Sequence, residues 1–390
     1  MVNLRKAAAI VGVYEHPTRY APDKSEGLIM AESIIHALDD AGLAKKDVDA
    51  LLSTGGLTGM NLVDYLNLEP KWVDFTQVGG ASFEFHLSHA VTAISAGLIN
   101  CAVITYASTP RVIGTSIGTG GFARQDRVVP DPVPSSFEDL YGITTVGLYA
   151  MIARRHMHQF GTTSAQLAEI SVAMRKHAGL NPYAMYRDPI TIEDVLNSRM
   201  ISDPLHMLDC CVISDGGGAL IVASPEVARQ CKTTPVWVLG TAEGIAHQGA
   251  GTRDLVYIAA SQTGNVAMDR AGVSTQDIDM CMVYDSFTIT VLETLEDLGF
   301  CKKGEGGDFV SGGRLQIGGE LPTNTDGGGL SSNHPGMRGI FLLLEATRQL
   351  RGDYSGTPRQ VDNCEIALAH GTGGALGSRH SGGTVILARD

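Results

Sequence analysis

The chain reads as an α/β protein, a sheet with helices packed on its faces. Short apolar runs alternate with helix-period segments, glycine clusters follow several of the runs, and the same order of elements occurs twice. Residues 7–13 form the first buried strand. Residues 27–41 follow as a helix with Leu28, Ala31, Ile34, Ile35 and Leu38 on one face. Residues 48–53 are the next strand, with a short helix near 62–66. Residues 75–78 lead into the Gly79-Gly80 turn, from which helix 83–96 and strand 101–106 continue. Residues 219–223 close this half as another strand.

The C-terminal part repeats the scheme. It has a strand at 236–239, a helix at 255–271, a strand at 278–284 and a helix running to Leu298. A helix at 340–350 and strands at 366–369 and 384–388 complete it. The likeness between the parts is one of element order, not of residues. The division expected is 1–235 and 236–390. Between about 109 and 214 the pattern breaks: residues 114–131 are rich in glycine and small polar residues, and Pro130, Pro132 and Pro134 interrupt regular structure. A clean helix follows, with Thr163 and Gln166 as a capping box and Gly179 with Pro182 as the stop. Leu167, Ile170 and Met174 would form its buried stripe. This region is read as a cap inserted over the site. Arg111, Arg154, Arg155, Arg175 and Lys176 there either face a phosphate or are solvated charge on a helix face.

Composition narrows the function. The 390 residues are 44% apolar and 18% charged, a globular balance, and a net charge of -13 argues against nucleic acid and anionic membrane surfaces as partners. Seven scattered cysteines without Cys-x-x-Cys spacing fit a reducing cytoplasm and neither a disulfide framework nor a metal site. No apolar run approaches the roughly eighteen residues that span a bilayer, so a soluble, cytoplasmic protein is expected.

The stretch Asn324-Thr325-Asp326-Gly327-Gly328-Gly329-Leu330-Ser331-Ser332-Asn333-His334-Pro335-Gly336-Met337-Arg338-Gly339 carries the strongest chemical signal. Its glycines allow a close backbone approach to a ligand, and Pro335, Gly336 and Gly339 hold His334 on a tight turn. A satisfied structural histidine is the competing reading. Tyr284 ends an apolar strand, where strand ends meet ligands in α/β sheets, although a core tyrosine fits equally well. Asp285 reads as a cap of the next helix. His370, in a second glycine-rich segment, is another acid or base candidate, and His380 a poorer one. Cys301 is expected to be exposed and easily modified, Cys210 and Cys211 to be buried and inert.

Four segments in order resemble the thiolase superfamily, nearest its sterol-carrier-protein-x and lipid-transfer-protein branch. Asn333 to Gly336 resembles the Gly-His-Pro-x-Gly turn. Val283-Tyr284-Asp285-Ser286-Phe287 is similar to a His-Asp-Cys-Phe segment with tyrosine for histidine. Residues 298–307 resemble a Leu-Gly-x-Cys-x-Lys-Gly-Glu-Gly loop, and 369–374 the C-terminal glycine turn. The resemblance implies a five-layered α/β/α/β/α fold of two pseudo-symmetric halves, a homodimer, and coenzyme A thioesters as substrates with no covalently bound cofactor. Gly328, Gly329, Gly336 and Gly373 would lie along the acyl-CoA. A small OB-fold, zinc-ribbon-bearing partner subunit is also implied.

One departure shapes the chemistry. Ala93-Ile94-Ser95-Ala96-Gly97 sets the register that places the family's nucleophilic cysteine at Gly80 or Ala81, yet the residues present are Val78-Gly79-Gly80-Ala81-Ser82-Phe83. With no thiolate there, retro-aldol cleavage of a β-hydroxyacyl-CoA is the expected reaction. Tyr284 would accept the hydroxyl proton, and His334 with the amides of Gly80, Ala81 and Ser82 would hold the thioester enolate. Asn333 would orient a water or the imidazole, with His370 as a further acid or base. The alternatives are a thiolase or acetyl-CoA acyltransferase using an unusually placed cysteine, and a non-catalytic acyl-CoA carrier or scaffold.

Overall fold

The computed structural model describes residues 4–114, 144–247, 254–376 and 378–390. Its main sheet contains β1 Ala9–Glu15, β2 Ala50–Ser53, β3 Trp72–Asp74, β4 Cys101–Ser108, β5 Gly216–Ala223, β6 Val236–Ala246, β7 Met280–Val283, β8 Ile366–Ala375 and β9 Ser378–Ala388. Their spatial order is β3-β2-β4-β5-β1-β6-β9-β8-β7. On either side of the central β1–β6 contact the order is the same: β1-β5-β4-β2 in one direction, β6-β9-β8-β7 in the other. The pairing signs agree as well, with β2–β4 and β7–β8 parallel and the other pairs within these two sets antiparallel; the extra edge strand β3 pairs parallel with β2. The two sets join through a short antiparallel contact, Ala9 to Trp237 and Ile10 to Val236.

The main helices are α1 Glu26–Ala41, α2 Gly56–Leu66, α3 Ser82–Ser95, α4 Thr145–Phe160, α5 Ser164–Leu180, α6 Ala260–Ala271, α7 Thr288–Asp297 and α8 Gly339–Arg351. Helices α3 and α8 pack on each other and on strands of both sets, forming a central layer. Helix α1 covers β1, β4 and β5 from outside, and α6 covers β6 and β9. The result is the expected α/β/α/β/α layering. It explains why α8 is buried almost all round, Glu345, Thr347 and Gln349 included: a helix between the two strand sets has no broad solvent face.

A residue-level repeat accompanies the layering. Ala41-Gly42-Leu43-Ala44-Lys45-Lys46-Asp47-Val48-Asp49 matches Ala271-Gly272-Val273-Ser274-Thr275-Gln276-Asp277-Ile278-Asp279 in place and role. Gly42 and Gly272 are left-handed C-caps of α1 and α6. Asp47 and Asp277 accept from the amides three residues before them. Asp49 receives the Asn100 amide, Asp279 the Glu365 and Ile366 amides. The expectation that the likeness is one of element order and not of residues is therefore too weak. The shared pattern is short, and it was hidden by the different lengths of the intervening segments.

Three strands are longer than their sequence suggests. Gly216–Gly218, Gly371–Gly374 and Gly382-Gly383 lie outside the apolar runs but belong to β5, β8 and β9. Strand β3 is short and lacks an apolar run, and 255–259 precede α6 rather than opening it. Within the cap, α5 has the expected Thr163–Gln166 capping box and buries Leu167, Ile170 and Met174. It packs on α7 and on the loop 328–332. The glycine- and proline-rich stretch of the cap from 115 to 143 lies outside the described residues.

Gly12 in β1 and Gly240 in β6 occupy equivalent places. A Cβ at Gly12 would run into the Ala37 carbonyl oxygen of α1, and one at Gly240 into that of Ala267 in α6. Gly12→Ala and Gly240→Ala are each expected to cost about 1–3 kcal/mol through overpacking, read as a lower midpoint in denaturant unfolding. Wild-type stability for either variant would contradict the tight strand–helix approach.

Candidate active site

Tyr284 follows β7 directly, and its hydroxyl lies 3.1 Å from His334 Nε2. The two rings meet edge to face, 5.6 Å between centroids at 89°. The sequence thus named two residues fifty positions apart that the fold brings into hydrogen-bond contact. Tyr284 is buried, and His334 is partly exposed. Burial holds the Tyr284 hydroxyl well above the ordinary phenol range. Burial, aided by the Arg338 charge, lowers the His334 imidazole to about 4. At neutral pH the pair is therefore an uncharged phenol against an uncharged imidazole.

The histidine turn is fastened from several sides. The His334 amide donates to Ser214 Oγ at 3.0 Å, and Ser214 donates its hydroxyl to Asn333 Oδ1 at 2.7 Å. Asn333 Nδ2 in turn donates to Glu15 at 3.3 Å. Tyr106, at the end of β4, donates to the Pro335 carbonyl at 2.6 Å. Arg338 donates to the Asn333 carbonyl at 2.8 Å, and the Gly339 amide to the Gly80 carbonyl at 3.2 Å. Asn333 orients the histidine backbone through Ser214. Ser214, Tyr106 and Arg338 escaped the sequence reading. Tyr106 carried a usable signal, a polar side chain at a strand end like Tyr284.

Several expected assignments change. His370 lies on the opposite face of the sheet from Tyr284. Side chains alternate along β8, so Ala367 and Ala369 join Tyr284 in the central core while Leu368 and His370 face outward. There His370 Nδ1 contacts Thr384 Oγ1 at 2.8 Å, and Thr384 contacts Thr263 of α6 at 2.8 Å. His370 is thus walled off from the site. Ser82 is a turn residue: its hydroxyl donates to the Gly79 carbonyl at 2.6 Å, and its amide bonds the same carbonyl at 3.1 Å. That amide is committed, leaving Gly80 and Ala81 as the candidate donors at the start of α3.

The glycines serve packing more than ligand approach. A Cβ at Gly328 would run into the Asp285 carboxylate, and one at Gly329 would lie 3.1 Å from Asp285 Oδ1. A Cβ at Gly373 would strike the Val78 carbonyl. Close packing thus accounts for glycine at these three positions. Gly336, at a positive φ of 80°, is exposed beside the histidine and keeps its place at the site. Asp285 does not cap α7: it accepts the Gly329 amide at 2.7 Å and the Leu330 amide at 3.2 Å, and pairs with Arg338 at 3.1 Å.

The thiols are poor nucleophiles where they stand. Cys210 is buried, and burial pushes its thiol far up. Cys211 is pushed to about 12 by burial. Cys301 is only partly exposed and also pushed to about 12 by burial, which corrects the expectation of an easily modified group. Arg154 and Arg155 are neutralised by Asp203 and Asp254, and Lys176 bonds Gln316. Arg175 is buried against Ser331 and Tyr186, and Arg111 lies over the Tyr20 ring.

Residues 242–389 match the family model described as Thiolase C-terminal domain-like. A steroid side-chain-cleaving aldolase of Thermomonospora curvata is 36% identical over 380 residues, covering 94% of this chain and 95% of the relative. The chain belongs to the thiolase superfamily. Within it, the sterol-carrier-protein-x-type branch fits best. An acetyl-CoA acetyltransferase of Methanothermobacter thermautotrophicus is 33% identical over 394 residues, covering 95% and 97%. Among solved structures, the Ltp2-ChsH2(DUF35) aldolase superposes with a TM-score of 0.87 at 31% identity, covering 100% of this chain and 99% of that one.

Titration of His334, followed by NMR in histidine-labelled protein, should show a neutral ring from pH 8 down to about pH 5. An inflection near 6.5 would mean that burial and Arg338 do not control the imidazole.

Proposed function

We propose that this thiolase-superfamily enzyme is a carbon–carbon lyase that cleaves a β-hydroxyacyl-CoA by a retro-aldol reaction. The observation that carries it is the Tyr284–His334 hydrogen bond, formed beside a turn that has no thiol. The substrate's β-hydroxyl passes its proton to Tyr284 Oη while the phenol passes its own to His334 Nε2. The Cα–Cβ bond breaks, its electron pair moves into the thioester enolate, and Cβ becomes a carbonyl. Amides of Gly80 and Ala81 at the N-terminus of α3 hold the enolate oxygen. The proton then returns through Tyr284 to Cα, giving a shortened acyl-CoA and an aldehyde or ketone. No free coenzyme A and no redox partner is consumed.

This revises the expected roles. His334 Nε2 is engaged with Tyr284, so it serves the phenol as proton acceptor rather than the enolate as donor. A phenol whose proton is hard to lose needs such an acceptor beside it. The aldolase name of the Thermomonospora curvata relative supports the reaction class, and the acetyltransferase supports a coenzyme A thioester. The acetyltransferase also keeps a thiolytic rival alive, with Cys211 as nucleophile. Its raised thiol weighs against that role. The carrier reading loses ground because the named relatives are enzymes. We further propose a homodimer, a cytoplasmic location and a small OB-fold, zinc-ribbon-bearing partner. The double name of the solved aldolase supports the last of these. Among the described residues no helix is long and apolar enough to cross a membrane.

Tyr284→Phe is expected to lower kcat at least about 10²-fold with nearly unchanged coenzyme binding. His334→Ala should cost turnover about 2–5 kcal/mol, since it removes the proton acceptor. A mass-spectrometric screen of β-hydroxyacyl-CoA and β-ketoacyl-CoA panels, with and without free coenzyme A, tests the class directly. Strict dependence on free coenzyme A, or inactivation tracking Cys211 alkylation, would replace the retro-aldol reading with the thiolytic one.

A further inference from the structure

Tyr284 reaches His334 only because residue 80 carries no side chain. A Cβ built on Gly80 would run into Tyr284 Cε2, lie 2.6 Å from Tyr284 Cζ and lie 2.5 Å from the Thr372 carbonyl oxygen. Carbon atoms in contact sit about 3.5–4.0 Å apart, so the phenol ring would have to shift by roughly an ångström. Backbone conformation is not the reason for glycine here. Gly79 has a φ of 79°, in the left-handed region, whereas Gly80 is not among the positive-φ residues. An L-residue suits the backbone at 80, and only the space is missing.

The ring has nowhere to retreat. It is buried, its backbone amide is tied to the His370 carbonyl at 3.0 Å, and its edge already meets the His334 imidazole. Gly80 cannot give way either, because its carbonyl receives the Gly339 amide at 3.2 Å. Behind that contact a Cβ at Gly339 would itself strike the Gly80 carbonyl and lie 2.5 Å from the Glu84 carboxyl. Glu84 is buried one helical turn along α3, and a Cβ at Gly371 would also strike its carboxyl. The turn is wedged between the phenol on one side and α8 on the other.

We infer that Gly80 is the positioning residue that selects the reaction: a side chain at 80 and the phenol of Tyr284 compete for one volume. The protein can place a side chain at the head of α3 or present Tyr284 to His334, but not both. Substituting residue 80 therefore removes the proton carrier without touching Tyr284 in sequence. The catalytic consequence rests on the retro-aldol reading above. The steric coupling does not.

A double-mutant cycle tests it. Gly80→Ala should lower Tm and cut kcat about a hundredfold with KM little changed, as expected for a displaced catalytic group. In the Tyr284→Ala background the same substitution should lower Tm clearly less, because the ring is gone. The Thr372 carbonyl contact is present in both backgrounds and cancels from the comparison. Equal Tm losses in the two backgrounds, or wild-type turnover by Gly80→Ala, would overturn the inference. If Gly80→Ala yields no folded protein, Gly80→Ala/Tyr284→Ala must yield it, and failure of both also overturns the coupling. The Tm arm needs no substrate, so absence of retro-aldol turnover in the wild type sinks only the reaction assignment.

Discussion

The Arg338 guanidinium is the interaction on which the site depends. It is fully buried between Asp326, at 2.6 Å, and Asp285, at 3.1 Å, and it also donates to the Asn333 carbonyl. Asp285 follows β7, Asp326 opens the glycine loop, and Arg338 precedes α8. One cation thereby joins the three segments that carry Tyr284, His334 and the central helix. A buried carboxylate without its partner typically costs about 3–5 kcal/mol, so the arrangement strongly disfavours any relative movement of these segments. The same charge helps lower the His334 pKa. Structural and chemical roles meet in one side chain.

Around that cation the protein uses absent side chains as building elements. Gly328 and Gly329 let the Asp285 carboxylate enter the loop, Gly373 lets β8 meet the Gly79 turn, and Gly80 admits the Tyr284 ring. In β8 and β9, a Cβ at Gly371 would strike the buried Glu84 carboxyl and one at Gly383 would lie 2.6 Å from Glu84 Cβ. Glycine abundance in this chain thus reflects how closely two sheets and two central helices approach near the site.

The chemistry follows from keeping the reacting groups neutral. In a buried setting a charged imidazole or a phenolate is penalised, so the resting pair holds its proton on Tyr284. A proton can move along Tyr284 and His334 as charge develops on the substrate oxygen. In the proposed reaction, fixed dipoles at the start of α3 would need no reorganisation to meet the enolate. The thiols of Cys210 and Cys211 are raised by burial as well.

Much of this was legible in the chain. Alternating apolar runs and helix periods are local consequences of backbone geometry, and they defined the α/β class, while the five layers followed from the resemblance of four motifs. The motif order pointed to His334 and Tyr284, because a histidine on a Pro-Gly turn and a tyrosine at a strand end are local signatures. Asp47-Val48-Asp49 and Asp277-Ile278-Asp279 also stood in the sequence, but their equivalence is recognisable only once β2 and β7 are superposed. What the tertiary structure alone decided concerns faces and distances. His370 reads in the sequence as a further acid or base candidate, but the register of β8 against β7 turns it to the far side of the sheet. At Gly328 and Gly373 a carboxylate and a carbonyl occupy the places where side chains would be. Local periodicity determines which element a residue joins. The face that a side chain takes, and what fills the space beside it, depend on pairings between residues far apart in the chain.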